Sequence, residues 1–345
     1  MKIIVALFFG TLLTLSFGVS AQTTEPSNIP KDKNMVSIPV TVSDREGRYI
    51  AGLKKDDFSI YEDGVKQNVA FFATVDEPLS IVLLLDTSGS TASSLEKIKD
   101  AAKDFVELLN PKDQGLIATF DSQLKVLNSF SSSTKTLKEA IDKVQTAQQD
   151  GTVLNYAIQQ TIQKSFVNTE GRKVVIILSD GKDFGSPVTK SELLGILEES
   201  DVLIYSIHYK TGTGIENLVI SSDGKVKEVE NKKPKKEPKP KKQKGYSITI
   251  PGQIDVISQE EIDHREKQTS IEAVDFLKQL SDTTAGRFYL SDAPNLSNIF
   301  KQIAGELREQ YWLGYRSKDS AAHEINVKVG KPDVVVRSRA KVRSK

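Results

Sequence analysis

Leu79-Ser80-Ile81-Val82-Leu83-Leu84-Leu85-Asp86-Thr87-Ser88-Gly89-Ser90 is the stretch whose reading decides the fold. An apolar, branched run of this length predicts a buried parallel strand, and the polar turn behind it predicts a loop leading into a helix. That loop sets one carboxylate and two hydroxyls at alternate positions. Hard oxygen donors therefore gather at the carboxyl end of a strand, where open α/β sheets bind their ligands. Such donors suit Mg²⁺, Ca²⁺ or Mn²⁺ rather than softer metals.

Two later segments extend the pattern. Gly151-Thr152 opens a helix-like stretch from Val153 to Val167, and Asp180-Gly181 closes a second buried run, Lys173 to Ser179. Taken together, Asp86, Ser88, Ser90, Thr152 and Asp180 resemble the metal-ion-dependent adhesion site of the von Willebrand factor type A domain. The resemblance implies a doubly wound, mostly parallel α/β sheet and one divalent cation, Mg²⁺ first, with Mn²⁺ or Ca²⁺ as alternatives. It implies that Ser88, Ser90 and Thr152 offer hydroxyl oxygens, that Asp86 and Asp180 act directly or through water, and that Thr152 is the ligand that moves. Two carboxylates and three neutral hydroxyls do not fill the shell of such a dication, so a position stays open for water or a partner's carboxylate. The competing reading is purely local: Ser88 and Ser90 cap the next helix, Ser93 and Glu96 form a capping box, and the aspartates accept backbone N–H bonds.

The chain has 345 residues, 27% charged and 38% hydrophobic, with a formal net charge of +1, which suits a soluble protein of two domains and argues against a general nucleic-acid binder. Lys2, the apolar run from Ile3 to Phe17 and Val19-Ser20-Ala21 predict a signal peptide (1–21) cleaved after Ala21, with an uncleaved anchor as the rival. No cysteine is present, so export brings no disulfide and no lipid-modified N-terminus. The expected location is the periplasm or the exterior of a bacterial cell, with no transmembrane segment after cleavage.

Residues 22–34 lack periodicity and are expected to be a mobile leader. Met35 to Ser43 alternates as a half-buried strand, and Phe58 to Tyr61 and Val69 to Phe72 follow as short strands around Glu62-Asp63-Gly64. The segment from Gly52 to Gln67, with its Asp57-Phe58 and Glu62-Asp63-Gly64 in register, resembles the lead-in of the "VWFA-related" proteins first described from Acidobacteria. A strand/helix alternation covers 78–309. It comprises helices from Leu95 to Leu109, Thr134 to Val144, Val153 to Val167, Lys190 to Glu199, Ser270 to Leu280 and Asn295 to Arg308. Its strands are 115–120, 124–130, 202–208 and 286–290, beside the two long apolar runs. Tyr311 to Tyr315, Glu324 to Val329 and Asp333 to Arg337 return to β character. Half-domains at 35–75 and 310–340 cannot each close a core, so they are expected to pair into one small antiparallel β-domain around the α/β unit, with Trp312 and its neighbouring tyrosines in the seam.

An insertion at 211–265 interrupts the alternation and exceeds usual loop lengths. Its centre, 231–244, carries eight lysines (Lys232, Lys233, Lys235, Lys236, Lys239, Lys241, Lys242 and Lys244) and one glutamate, a local charge of +7. Lysine and proline build no core there. The flanks, Leu218 to Ile220 with Val226 and Tyr246 to Ile250, are expected to form a hairpin that lifts the basic tip beside the metal site. The lysines would then help to select an acidic ligand or surface.

These readings favour a non-catalytic module that binds a protein ligand's carboxylate through the cation, in adhesion or envelope assembly. A Mg²⁺-dependent hydrolase is the alternative, but Ser88 stands where phosphoryl transfer wants a second carboxylate, and neither a P-loop nor a glycine-x-serine-x-glycine elbow occurs. His208, His264 and His323 are the three histidines available as a base. A structural envelope protein with a vestigial metal site is the third reading.

Overall fold

The computed structural model describes residues 35–74, 77–147, 151–167, 169, 171–209, 218–220, 226–228, 246–250, 253–257, 259–291 and 295–343. Met35–Asp44 forms β1, with Val36, Ile38, Val40 and Val42 buried on one face, as the period of two dictates. Phe58–Glu62 (β2) turns back into Val65–Gln67 (β3) through Asp63 and Gly64, both at positive φ, the geometry of a tight hairpin. Phe71–Thr74 (β4) closes the first β segment.

The α/β unit then begins with Leu79–Asp86 (β5), buried at every position. Leu95–Glu107 (α1), Gln114–Phe120 (β6), Leu124–Val126 (β7), Thr134–Asp142 (α2) and Leu154–Gln160 (α3) follow. Arg172–Ser179 (β8), Lys190–Glu199 (α4) and Leu203–Tyr209 (β9) continue the alternation. Two hairpins come next, Leu218–Ile220 (β10) with Val226–Glu228 (β11) and Tyr246–Ile250 (β12) with Gln253–Ile257 (β13). Gln259–Thr283 (α5), Phe288–Ser291 (β14) and Leu296–Arg308 (α6) complete the unit. The tail is Tyr311–Arg316 (β15), Ala322–Val329 (β16), Val334–Ser338 (β17) and Lys341–Arg343 (β18).

The central sheet has the order β14-β9-β8-β5-β6-β7, parallel except for the β6–β7 hairpin. Alternate residues of β5 feed opposite faces. Leu79, Ile81, Leu83 and Leu85 pack with α1, α2 and α6, whereas Val82 and Leu84 pack with α3, α4 and α5. Both faces being covered explains why β5 and β8 are continuous apolar runs. The chain steps from β5 to β6 on one side and later to β8 on the other, so the sheet's switch point lies between β5 and β8.

The β strands outside this unit pair across the whole length of the chain, and the α/β unit is inserted between them. Two four-stranded sheets, β17-β1-β15-β4 and β18-β16-β2-β3, enclose a core of Ile38, Val40, Phe58, Ile60, Leu313, Tyr315 and Val327. Tyr311 adds buried hydrogen bonds, accepting from Leu53 N–H (3.0 Å) and donating to the Ile50 carbonyl (2.9 Å).

Several expectations change. Four strands precede the α/β unit and four follow it, because Val65–Gln67 and Lys341–Arg343 also pair. The strand expected at 124–130 stops at Val126, and the helix expected to reach Val144 stops at Asp142. The helix expected from Val153 to Val167 is α helical only to Gln160, then continues as a π turn over Thr161–Ser165. The helix expected at 270–280 runs from Gln259 to Thr283, since its first half is polar and offers no apolar stripe to read. The insertion's flanks do not pair with each other; each closes its own hairpin, β10–β11 and β12–β13. Trp312 alternates away from the sandwich core that Tyr311 and Tyr315 fill, and its Nε1 is buried without a hydrogen-bond partner.

Arginines stitch the two units together. Arg172, at the start of β8, donates to the Leu307 carbonyl (2.5 Å) and to Gln310, whose amide reaches Thr41 of β1 (3.2 Å) and the Tyr205 hydroxyl (3.3 Å). Arg339 donates to the Ser200 and Val202 carbonyls. Glu306, buried, gathers Arg287 (3.4 Å) and Arg337 (3.2 Å). A buried charge needs this partnering to be tolerated.

At the tip of the sandwich, His323 meets Asp63 Oδ2 through Nδ1 (2.6 Å) and Asp319 Oδ1 through Nε2 (2.8 Å). Hydrogen bonds to Asp63 and Asp319 push its pKa from 6.5 up to about 9. A folded-state pKa raised in this way contributes stability that is complete below 6.5 and is lost as pH rises through about 9. The thermal midpoint of the wild type is therefore expected to fall across that window more steeply than that of His323→Gln. Parallel pH profiles would remove the clamp from the account of stability.

Candidate metal centre

The carboxyl ends of β5 and β8 deliver the site. Their parallel register pairs Leu85 with Leu178, so Asp86 emerges beside Ser179 and Asp180 lies one residue beyond. Asp86 is fully buried, and its carboxylate accepts the Ser88 N–H at Oδ1 (2.9 Å) and the Ser179 hydroxyl at Oδ2 (2.6 Å). Burial raises the Asp86 pKa to about 6; the nearby Asp180 carboxylate adds to the rise, while the Ser179 and Ser88 hydrogen bonds oppose it. Two carboxylates thus interact away from solvent.

Asp180 is also buried. Its Oδ1 accepts the Lys182 N–H (3.2 Å), its Oδ2 has no hydrogen-bond partner, and the Lys182 ammonium stands 3.6 Å from that oxygen. Gly181, at φ 79°, makes the turn that follows. A Cβ there would lie 2.7 Å from the Ala273 carbonyl oxygen, so α5 closes against a glycine.

The loop after Asp86 is a 3-10 helix, Gly89–Ser94, and neither Ser88 at its start nor Ser94 ahead of α1 makes a side-chain capping bond. Ser88 Oγ instead lies 3.1 Å from Ser90 Oγ. The capping box of the competing local reading, Ser93 with Glu96, does not form, because the N-cap of α1 is Ser94. Thr91 does the local work, donating its hydroxyl to the carbonyls of Ser88 (2.8 Å) and Asp86 (3.1 Å).

Thr152 is buried in a two-way backbone bridge with Phe184, on the loop after Asp180: Phe184 N–H donates to the Thr152 carbonyl (2.8 Å) and Thr152 N–H to the Phe184 carbonyl (3.4 Å). The same loop reaches the start of α3, where Asp183 accepts the Asn155 N–H (3.1 Å) and Ser186 the Tyr156 N–H (3.1 Å). Thr152 is therefore positioned by the Asp180 segment rather than by its own helix.

The structure links Asp86, Ser88 and Ser90 through direct and backbone hydrogen bonds. Asp180 couples to them electrostatically, and Thr152 through the loop. The candidate lysines of 231–244 lie outside the described residues. Among the described residues no group of three or more His, Cys, Asp or Glu side chains forms a metal cage. The donor set is two carboxylates plus neutral hydroxyls. That chemistry fits a hard cation, and the orphaned, buried Asp180 Oδ2 is an oxygen with capacity to spare.

Three residues escaped the sequence reading. Ser179 ended an apolar strand, and a hydroxyl at that place, directly before an aspartate, was the available signal. Asp121, buried at the end of β6, is pushed up by burial, yet Lys125 (2.8 Å) with the Gln123 N–H and Ser122 bonds hold it below the usual carboxylate range. Its carbonyl accepts the Val153 N–H (2.8 Å) next to Thr152. Lys182 is the third.

An oxygen-rich loop at the switch point of an open, mostly parallel sheet defines an α/β domain with a candidate cation site. Residues 80–241 match the family model of the von Willebrand factor type A domain, and the chain contains that domain. The match ends inside the insertion, whereas α5, β14 and α6 complete the sheet beyond it. No curated relative matches the sequence. Among solved structures, BatB from Bacteroides thetaiotaomicron aligns at 16% identity over 67% of this chain and 99% of its own, with a TM-score of 0.43. Proximal thread matrix protein 1 from the mussel byssus aligns at 18% identity and a TM-score of 0.47, over 72% of this chain and 51% of its own; the chain thus spans about half of that protein. A second structure of the mussel protein, with a zinc-occupied MIDAS motif, aligns at 16% identity and a TM-score of 0.47, over 72% of this chain and 50% of its own.

Ser179→Ala removes one bond to Asp86 and the acceptor that Gly181 N–H uses (2.9 Å). Leaving a buried donor unpaired is expected to cost about 1–3 kcal/mol. Chemical denaturation in EDTA checks this; an unchanged midpoint would contradict the assigned bonds.

Proposed function

We propose that this protein is an exported, non-catalytic module that binds a protein partner through a divalent cation. Asp86, Ser88, Ser90, Thr152 and Asp180 would hold the ion, Mg²⁺ in the first place and Mn²⁺ or Ca²⁺ as alternatives. The observation that carries the reading is the pair of buried carboxylates, Asp86 and Asp180, with Asp180 Oδ2 lacking any hydrogen bond. Two like charges in a low-dielectric site are unfavourable unless positive charge joins them.

When bound, the cation supplies electrophilic charge that a partner's carboxylate can neutralise. The chain's own residues do the rest. Ser88 N–H and the Ser179 hydroxyl fix the plane of the Asp86 carboxylate, so both of its oxygens have a set direction. The Thr152–Phe184 bridge holds the threonine within the loop that follows Asp180. Phe184 is exposed beside it, an apolar contact for whatever approaches the metal edge. Export rests on the charged and apolar pattern of residues 1–21 and points to the periplasm or the cell exterior, in adhesion or envelope assembly. The domain match at 80–241 supports a role in protein interaction. In this reading the lysines of 231–244 add a basic surface for an acidic partner. Among the described residues no helix is long and apolar enough to cross a membrane.

Thermal unfolding with EDTA and with Mg²⁺, Mn²⁺ or Ca²⁺ tests the site. A ligand at about 100 times its dissociation constant stabilises the folded state by about 2.7 kcal/mol. The wild type is expected to gain a stabilisation of that order, and Asp86→Ala and Asp180→Ala to lose it while still unfolding cooperatively. A metal response that survives in both variants would place the ion elsewhere.

A further inference from the structure

We infer that Lys182 is the built-in counter-ion of the cation-free site, and that its ammonium competes with the metal for Asp180 and so sets the metal affinity. The inference rests on the metal reading proposed above and extends it to a residue outside the ligand set. Asp180 Oδ2 is buried and makes no hydrogen bond, yet the Lys182 Nζ stands 3.6 Å away. That separation is an ion pair without a hydrogen bond, a loose contact. The Lys182 side chain is 25% exposed against 5% for Asp180. The ammonium therefore approaches from the solvent side, towards an oxygen that is otherwise without a partner.

Other charges around the site are already committed. Lys125 is paired with Asp121 (2.8 Å). Asp183 accepts the N–H groups of Asn155 and Ser186. Asp86 is satisfied by Ser88 and Ser179, neither of them charged. Without a metal, Asp86 and Asp180 carry two negative charges when ionised, and Lys182 reduces the net to −1. With a dication present the same ammonium becomes a like charge beside the ion. Lysine carries its charge on a flexible four-carbon stem and can leave for solvent. Lys182 thus stabilises the empty site and weakens the filled one.

The two effects have opposite signs, which separates this role from ordinary packing. The test uses calorimetric Mg²⁺ titration and thermal midpoints in EDTA, on the full chain and on Lys182→Met, Lys182→Gln and Lys182→Arg. Removing the charge is expected to lower the midpoint in EDTA and to tighten Mg²⁺ binding by about tenfold, the scale of a unit charge acting on a dication a few ångströms away in a water-like dielectric. Lys182→Arg should stay close to the wild type, and the gap between the charged and neutral variants should narrow as salt rises. Lys182→Gln keeps a polar tip and serves if Lys182→Met fails to fold. Unchanged or weaker Mg²⁺ binding in the neutral variants, with the wild type binding, overturns the inference and leaves the metal reading standing. No Mg²⁺ heat in the wild type or in any variant overturns both. Binding that is seen in the neutral variants alone supports the competition.

Discussion

The register between β5 and β8 is the constraint on which the rest of the molecule depends. Pairing Leu85 with Leu178 brings Asp86 and Asp180 to the same edge within one residue of each other. The pairing cannot slip, because both strands are buried on both faces and a one-residue shift would exchange every side chain between the two helical layers. The apolar core therefore enforces an unfavourable electrostatic arrangement. Hydrogen bonds from Ser88, Ser179 and Lys182 relieve part of it. What remains is a demand for positive charge, and that demand is the chemical identity of the site.

The opposite edge of the sheet solves a different problem. Helices of an α/β unit run against the strands, so their carboxyl ends, with unsatisfied carbonyls and a negative dipole end, collect where the strands begin. Arginines meet them there. Arg308 donates to the Leu108 carbonyl at the end of α1, Arg339 to Ser200 at the end of α4, and Arg172 to Leu307 in the last turn of α6. Arg339 belongs to the β-sandwich and Gln310 leads directly into it. At Arg339 and Arg172 the residue that caps a helix also ties in the second unit, directly or through Gln310. The sandwich takes the edge where the strands start, opposite the one that carries Asp86 and Asp180.

The sequence disclosed most where one physical rule acts alone. The runs ending at Asp86 and Asp180 are apolar because both sheet faces are covered, and they predicted the sheet and its direction together. The insertion of the α/β unit into an antiparallel β-domain was legible from alternating strands that lacked partners nearby. Reading failed where two rules compete. The segment 153–167 keeps helical composition, but Thr161 to Ser165 relaxes into a π turn, which spacing does not disclose. The first half of α5 is polar on all sides, so no periodicity announced it. Within the candidate site, Asp86, Ser88 and Ser90 stood out because they alternate along one short loop. Ser179 acts on Asp86, 93 residues away, and Lys182 acts through charge, so neither role shows in the local pattern of hydrophobicity.

The position of the insertion follows from the same geometry. The chain leaves the sheet at Tyr209, the carboxyl end of β9, and returns along α5. Gly181 meets α5 at Ala273, and Ala273 is also where burial along that helix begins. The described part of α5 before it, including Arg265 and Gln268, is largely exposed. Both points of attachment therefore lie on the edge that carries Asp86 and Asp180. An insertion anchored there leaves the register of the sheet untouched, since it alters no buried strand, and it adds chain at the edge that carries Asp86 and Asp180.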